Sequence, residues 1–206
     1  MGKLRRRIGR QGIFRIYKTG ALMATTSSSE LIQRYLQDVI ASEKAFESQL
    51  RSMAQDSKNT RVEELFVAHA DETKRQYGRL TSRLQALGGS PSTTKSFMAH
   101  FFSAVPRAGQ IGQREEDRNT QNLIIAYAIE QSEAATYEAL KVAAQTVGDI
   151  QTAQIAEEIQ REEQMAAQRI WNLLPATARS SVERQTSGEW SRSRPSDESG
   201  VAGSPV

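Results

Sequence analysis

Residues 29–55 read SELIQRYLQDVIASEKAFESQLRSMAQ, and this stretch decides the fold. Ile32, Leu36, Val39, Glu43, Phe46, Leu50 and Met53 follow one another in alternating steps of four and three. That spacing keeps all seven on one helical stripe, the pattern of a helix packed into a bundle. Six of them are apolar. The seventh, Glu43, places a carboxylate where burial is costly unless the charge is paired or bound to a cation. Ser27-x-x-Glu30, a capping box, predicts the start of this helix.

Three more helices follow in the pattern. Thr60-x-x-Glu63 is a second capping box and predicts a helix over about 61–87, ended by Gly88-Gly89. Leu65, Leu80, Leu84 and Leu87 mark its apolar face. His69-Ala-Asp-Glu72 sets a histidine and a carboxylate one turn apart on that face. A third helix over about 119–147 carries Leu123, Tyr127, Glu130, Tyr137, Leu140, Ala144 and Val147, with Glu133 one turn from Glu130. Gly148-Asp149 then supplies a stop and a cap. The fourth helix, over about 150–174, has Ala156, Ile159, Glu163, Ala166, Ile170 and Leu173 on its stripe, again with a glutamate at the seam.

The connections read short, long, short. Asp56–Thr60 is short enough to make the first two helices antiparallel neighbours. Residues 88–118 form the long connection; Ser90-Pro91 opens a short helix there, packed by Phe97, Phe101, Phe102 and Val105 and stopped by Pro106. A hairpin, a long crossover and a second hairpin make an all-α, ferritin-like four-helix bundle.

A chain of 206 residues suits one domain with tails. The expected division is a basic, disordered extension over 1–28, the bundle over 29–175, and a disordered tail rich in Ser, Arg, Gly and Pro over 176–206, with room for a helical turn after Pro175. The chain has no cysteine, which excludes disulfides, thiolate metal sites and thiol catalysis. No apolar run reaches the length of a membrane span, and a cytoplasmic protein is expected. The net charge of +3 is misleading. Residues 1–22 carry seven basic groups and no acid, so the remainder sums to −4. Nucleic-acid binding by the bundle is therefore not indicated. The extension itself reads as an early start upstream of Met23-Ala-Thr-Thr26, a targeting peptide, or a basic arm. The mildly apolar end Ser199–Val206 reads as a disordered terminus, with a docking tail as the lesser alternative.

The chemistry lies in the seam. Glu43, His69, Glu72, Glu130, Glu133 and Glu163 come from all four helices, and His69 is the only histidine of those helices. A ferritin-like di-metal site takes a glutamate from each of two helices and a Glu-x-x-His pair from each of the other two. Carboxylate oxygens with a little imidazole suit iron, manganese or zinc rather than copper, and iron is the expected metal. The competing reading is structural: each carboxylate pairs with Arg or Lys, or sits at a solvated edge. The apolar stripes hold almost no Lys or Arg, and uncompensated buried charge is strongly disfavoured. Glu47, Glu157, Glu158 and Glu162 read as solvated-face charges, and His100 as a packing or surface residue of the crossover. Tyr35, Tyr127 and Tyr137 read as core, with a hydroxyl available to a ligand carboxylate or a radical relay; Trp171 packs the end of the fourth helix.

The run Tyr35–Leu50 (YLQDVIASEKAFESQL), His69-Ala-Asp-Glu72-Thr73, Glu130-Gln-Ser-Glu133-Ala-Ala-Thr-Tyr137 and Glu162-Glu163 resembles the YciE/YciF-type ferritin-like family of bacteria, over about residues 30–175. The resemblance implies a helical bundle with a di-iron or related metal site, a homodimer and a part in stress responses, without a defined activity. The chain departs from the general ferritin pattern in three places. The second helix reads His-x-x-Glu rather than Glu-x-x-His. Ala166 and Ala167 stand where a second ligand is expected after Glu163, and Thr136 where one is expected after Glu133. Two functions follow as expectations. One is a di-metal carboxylate protein, with Glu43, Glu72, Glu133 and Glu163 as core ligands and His69 and Glu130 completing the set, oxidising iron or consuming peroxide or oxygen. The other is a non-enzymatic bundle acting through dimerisation or partner binding, with an incomplete metal site.

Overall fold

A computed structural model describes residues 11–91 and 117–192, with side chains over 28–91 and 117–187. Four helices make up these residues: α1 (Gln11–Gln55), α2 (Thr60–Ala86), α3 (Arg118–Thr146) and α4 (Ile150–Arg192). The pairs α1/α2 and α3/α4 form hairpins; α1 also packs on α3, and α2 on α4. Glu72 meets Arg169, Gln76 meets Glu162 and Arg83 meets Thr152, so α2 and α4 run antiparallel. It follows that α2 and α3 point the same way, so α2 ends at the opposite end of the bundle from the start of α3. This is the hairpin–crossover–hairpin architecture expected from the spacing of the seams.

The helix ends follow local chemistry. Asn59 caps α2, its Oδ1 accepting from the amides of Arg61 at 3.0 Å and Val62 at 3.4 Å. The cap is therefore one residue earlier than the Thr60 box predicts. Gly88, with φ +81°, ends the helix in the left-handed conformation that side chains resist. Gly148 does the same for α3 at φ +79°. Asp149 then opens α4 by accepting from the Thr152 amide at 3.0 Å and its hydroxyl at 2.6 Å, as the Gly-Asp pair predicts.

Two helices run further than their periodicity indicates. Helix α1 begins at Gln11, so Ser27-x-x-Glu30 lies inside a helix and starts nothing. Helix α4 passes through Pro175 to Arg192 rather than stopping near 174. Proline removes one helical hydrogen bond, and packing offsets that cost. Beyond it Thr177 and Ser181 are buried, Ser181 Oγ lies 3.0 Å from Thr120 Oγ1, and Gln185 donates to Asp117 at 2.8 Å. The short crossover helix with its phenylalanines, His100 and the end of the tail lie outside the described residues.

The core divides into two apolar clusters. One holds Ile32, Leu36, Leu80, Leu84, Tyr137, Leu140 and Ile159 among others. The other holds Phe46, Leu50, Phe66, Leu123, Ile129 and Ile170. Every member of the α1 stripe is buried, Glu43 included. On α2 the buried line runs Val62, Phe66, His69, Thr73, Gln76, Leu80, Leu84, and Leu65 only flanks it. Tyr35 proves to be surface rather than core, and Trp171 is half exposed, its ring tilted on Tyr127 at 5.3 Å. Among the described residues no helix is long and apolar enough to cross a membrane.

Candidate metal centre

Between the two apolar clusters, every helix contributes a polar group at one level. Glu43 comes from α1, His69 from α2, Glu130 and Glu133 from α3, and Glu163 from α4. None is more than 3% exposed. The seam periodicity sets this layer: Glu43 falls between Val39 and Phe46 on α1, and Glu163 between Ile159 and Ile170 on α4, so packing the apolar neighbours carries the carboxylates inward.

Five of the six residues singled out in the sequence come together. Ligand atoms of His69, Glu130 and Glu163 lie within 4.8 Å of one another, and so do those of Glu43, Glu133 and Glu163. Glu163 belongs to both triads. The sixth residue, Glu72, belongs to neither. Its side chain is 19% exposed, it pairs with Arg169, and its Oε2 lies 3.5 Å from His69 Nδ1.

The layer's hydrogen bonds are few. His69 Nε2 is 2.5 Å from Glu130 Oε1, and Phe46 meets the imidazole edge-on at 5.6 Å. Tyr137 donates to Glu43 Oε1, and Ser42 donates to Glu133 Oε1 at 3.3 Å. Left without a hydrogen-bond partner are Glu43 Oε2, Glu130 Oε2, Glu133 Oε2, both oxygens of Glu163, and His69 Nδ1. Among the described residues no Lys or Arg forms an ion pair with the four buried glutamates.

Electrostatics follow from this crowding. Burial, reinforced by Glu130, pushes the Glu43 carboxyl up to about 8, against the opposing hydrogen bond from Tyr137. Burial and neighbouring carboxylates raise Glu133 and Glu163 well above the usual range. Burial alone would lower His69, but Glu130 and then Glu72 lift it to about 9. Glu72 moves the other way: partial burial works against it, yet His69 and Arg169 hold its carboxyl below the usual value. Without a cation, then, the layer retains protons. A divalent ion fits in their place, because five carboxylate oxygens without hydrogen bonds and an imidazole converge where, among the described residues, no Lys or Arg forms an ion pair with them.

Some members were not legible in the sequence. Ser42, Thr73 and Gln76 are buried on seams but read as ordinary polar residues. Gln76 Nε2 donates to Glu162 at 3.0 Å, and Arg79 pairs with the same carboxylate. Arg169, 97 residues from its partner Glu72, gave no local signal at all.

The family model described as Domain of unknown function (DUF892) matches residues 27–183. A crystal structure of a protein from Xanthomonas campestris pv. campestris is 29% identical, covers 78% of this chain and 99% of its own, and superposes with a TM-score of 0.65. The E. coli stress protein YciF is 19% identical, with 74% and 97% covered and a TM-score of 0.67. YcfI of Rhodopseudomonas palustris is 20% identical, with 69% and 92% covered and a TM-score of 0.63. No curated protein matches the chain.

Proposed function

The chain belongs to the DUF892 family, the YciE/YciF-type ferritin-like group, and from that premise we propose that its bundle holds a non-haem di-metal carboxylate centre, with iron as the metal. Glu43, Glu133 and Glu163 would hold one ion and His69, Glu130 and Glu163 the other, with Glu163 shared. One observation carries this reading: five buried carboxylate oxygens, on four glutamates from three helices, have no hydrogen-bond partner, and all four residues belong to the two triads that His69 completes from the remaining helix. Oxygen-rich donor sets with one imidazole suit iron, and manganese or zinc as alternatives.

Iron bound there would supply one-electron oxidation and reduction toward oxygen or peroxide, in stress protection. The chain's own part is to bind, orient and exclude water. Tyr137 holds Glu43 Oε1 and leaves Oε2 without a hydrogen bond and available to a metal ion. Ser42 does the same for Glu133. The apolar clusters on either side keep the layer dry, which strengthens every charge interaction inside it. We further propose a cytoplasmic homodimer.

A second reading is a non-enzymatic bundle that works by dimerising or binding a partner. Ala166 and Ala167, buried one turn beyond Glu163, favour it, because α4 supplies no second ligand. Metal analysis of protein made in iron-supplemented medium separates the two. The metal reading expects about two ions per chain and a melting temperature that rises with added Fe(II). Substoichiometric metal with unchanged melting leaves the second reading.

A further inference from the structure

We propose that Glu72 is a positioning residue for His69, itself held by Arg169, rather than a metal ligand. The inference rests on the metal reading above and deepens it.

Geometry separates Glu72 from the other five residues. They are sealed in the layer; Glu72 stands at its rim. Its Oε2 contacts the half-exposed Arg169 guanidinium and lies 3.5 Å from His69 Nδ1. On the far side of the same ring, Nε2 is 2.5 Å from Glu130 Oε1. The imidazole thus lies between an outer carboxylate and an inner one. His69 Nδ1 is buried and has no hydrogen-bond partner. At 3.5 Å the outer carboxylate is an ion-pair neighbour, a short ring rotation from accepting the Nδ1 proton.

A proton on Nδ1 facing Glu72 leaves the Nε2 lone pair to face the centre. Histidines that bind metals commonly donate their other ring N–H to a carboxylate, which fixes tautomer and orientation and raises ligand basicity. Arg169 completes the line Arg169–Glu72–His69. It offsets the Glu72 charge and keeps that carboxylate from turning in as a ligand itself. The His-x-x-Glu order, reversed from the ferritin pattern, is what a positioning carboxylate needs. One turn along α2 carries Glu72 outward to Arg169 while His69 faces in.

The test is a titration of full-length protein with Co(II), following its visible d–d bands and the bound stoichiometry. Wild type, Glu72→Gln, Arg169→Gln and the double variant are compared. In Glu72→Gln the amide permits the opposite tautomer. Its expected affinity is about 10- to 100-fold weaker, with wild-type stoichiometry at saturation and the wild-type band shape. Arg169→Gln should weaken binding less, and the double variant should be no weaker than Glu72→Gln, because the two act in series. Loss of one Co(II) at saturation in Glu72→Gln, or a changed band shape, would make Glu72 a ligand and overturn the proposal. Tighter binding by Arg169→Gln would overturn it as well, since Arg169 would then oppose the cation. Wild-type protein that takes up no Co(II) would sink the metal reading and the positioning role with it.

Discussion

Four glutamates and one histidine sealed in a bundle, with no Lys or Arg paired to the glutamates among the described residues, make a residue-scale problem of charge. Protons or a metal solve it, and the two solutions respond oppositely to pH. Glu43 is raised from 4.5 to about 8, so the folded chain holds its proton across a window where the unfolded chain has released it. Stability linked to that group falls as pH rises from about 4.5 to about 8. Glu133 and Glu163, also raised, act in the same direction. His69, raised to about 9 from 6.5, contributes stability that is complete below 6.5 and lost as pH climbs through 9. Metal-free protein should therefore melt at progressively lower temperature from pH 5 to pH 9, and metal-loaded protein should lose this slope. Thermal melts across that range check both, and a metal-free protein that gains stability toward pH 8 would contradict the assignment. Tyr137→Phe removes the donor to Glu43 and leaves that carboxylate with no hydrogen bond; a loss of about 1–3 kcal/mol is expected in metal-free protein by urea unfolding. The glutamates were legible in the sequence because each interrupts an apolar stripe. Ser42 and Arg169 were not, because they act across helices and leave no periodic mark.

At the scale of the helix, periodicity located each element and erred at its ends. The seam of α1 was readable to the residue, yet the helix begins 18 residues before the expected start at 29, since a capping box is compatible with a helix interior. The start of α2 was misplaced by one residue because Asn59 and Thr60 are both competent caps, and the backbone uses Asn59. Asn59→Ala should cost about 1 kcal/mol by chemical denaturation, whereas Thr60→Ala should cost much less. Helix α4 was cut short at Pro175, where local rules disfavour helix, because the contacts that carry it onward to Thr120 and Asp117 are distant in sequence. Truncation after Leu174 would remove the contacts of Ser181 with Thr120 and of Gln185 with Asp117. The shortened chain should melt well below the full-length protein, and equal melting would show that the extension contributes nothing.

For the whole molecule, the order of short and long connections gave the ferritin-like bundle, and the DUF892 match over residues 27–183 agrees with it. The activity was less legible, because one fold hosts many functions and only the convergence of side chains at a site bears on which is present. That convergence puts Glu163 in both triads, so its loss should have a different signature from the loss of any other residue. Glu133→Gln should spare the triad of His69, Glu130 and Glu163, while Glu163→Gln should disable both. The most direct measurement is metal content per chain, by elemental analysis after Fe(II) loading and removal of free ion, on wild type, Glu133→Gln and Glu163→Gln. The carboxylate layer as described predicts about two, one and no ions, with a wild-type melting temperature that rises on loading. Wild-type protein that retains no metal and melts unchanged would contradict it.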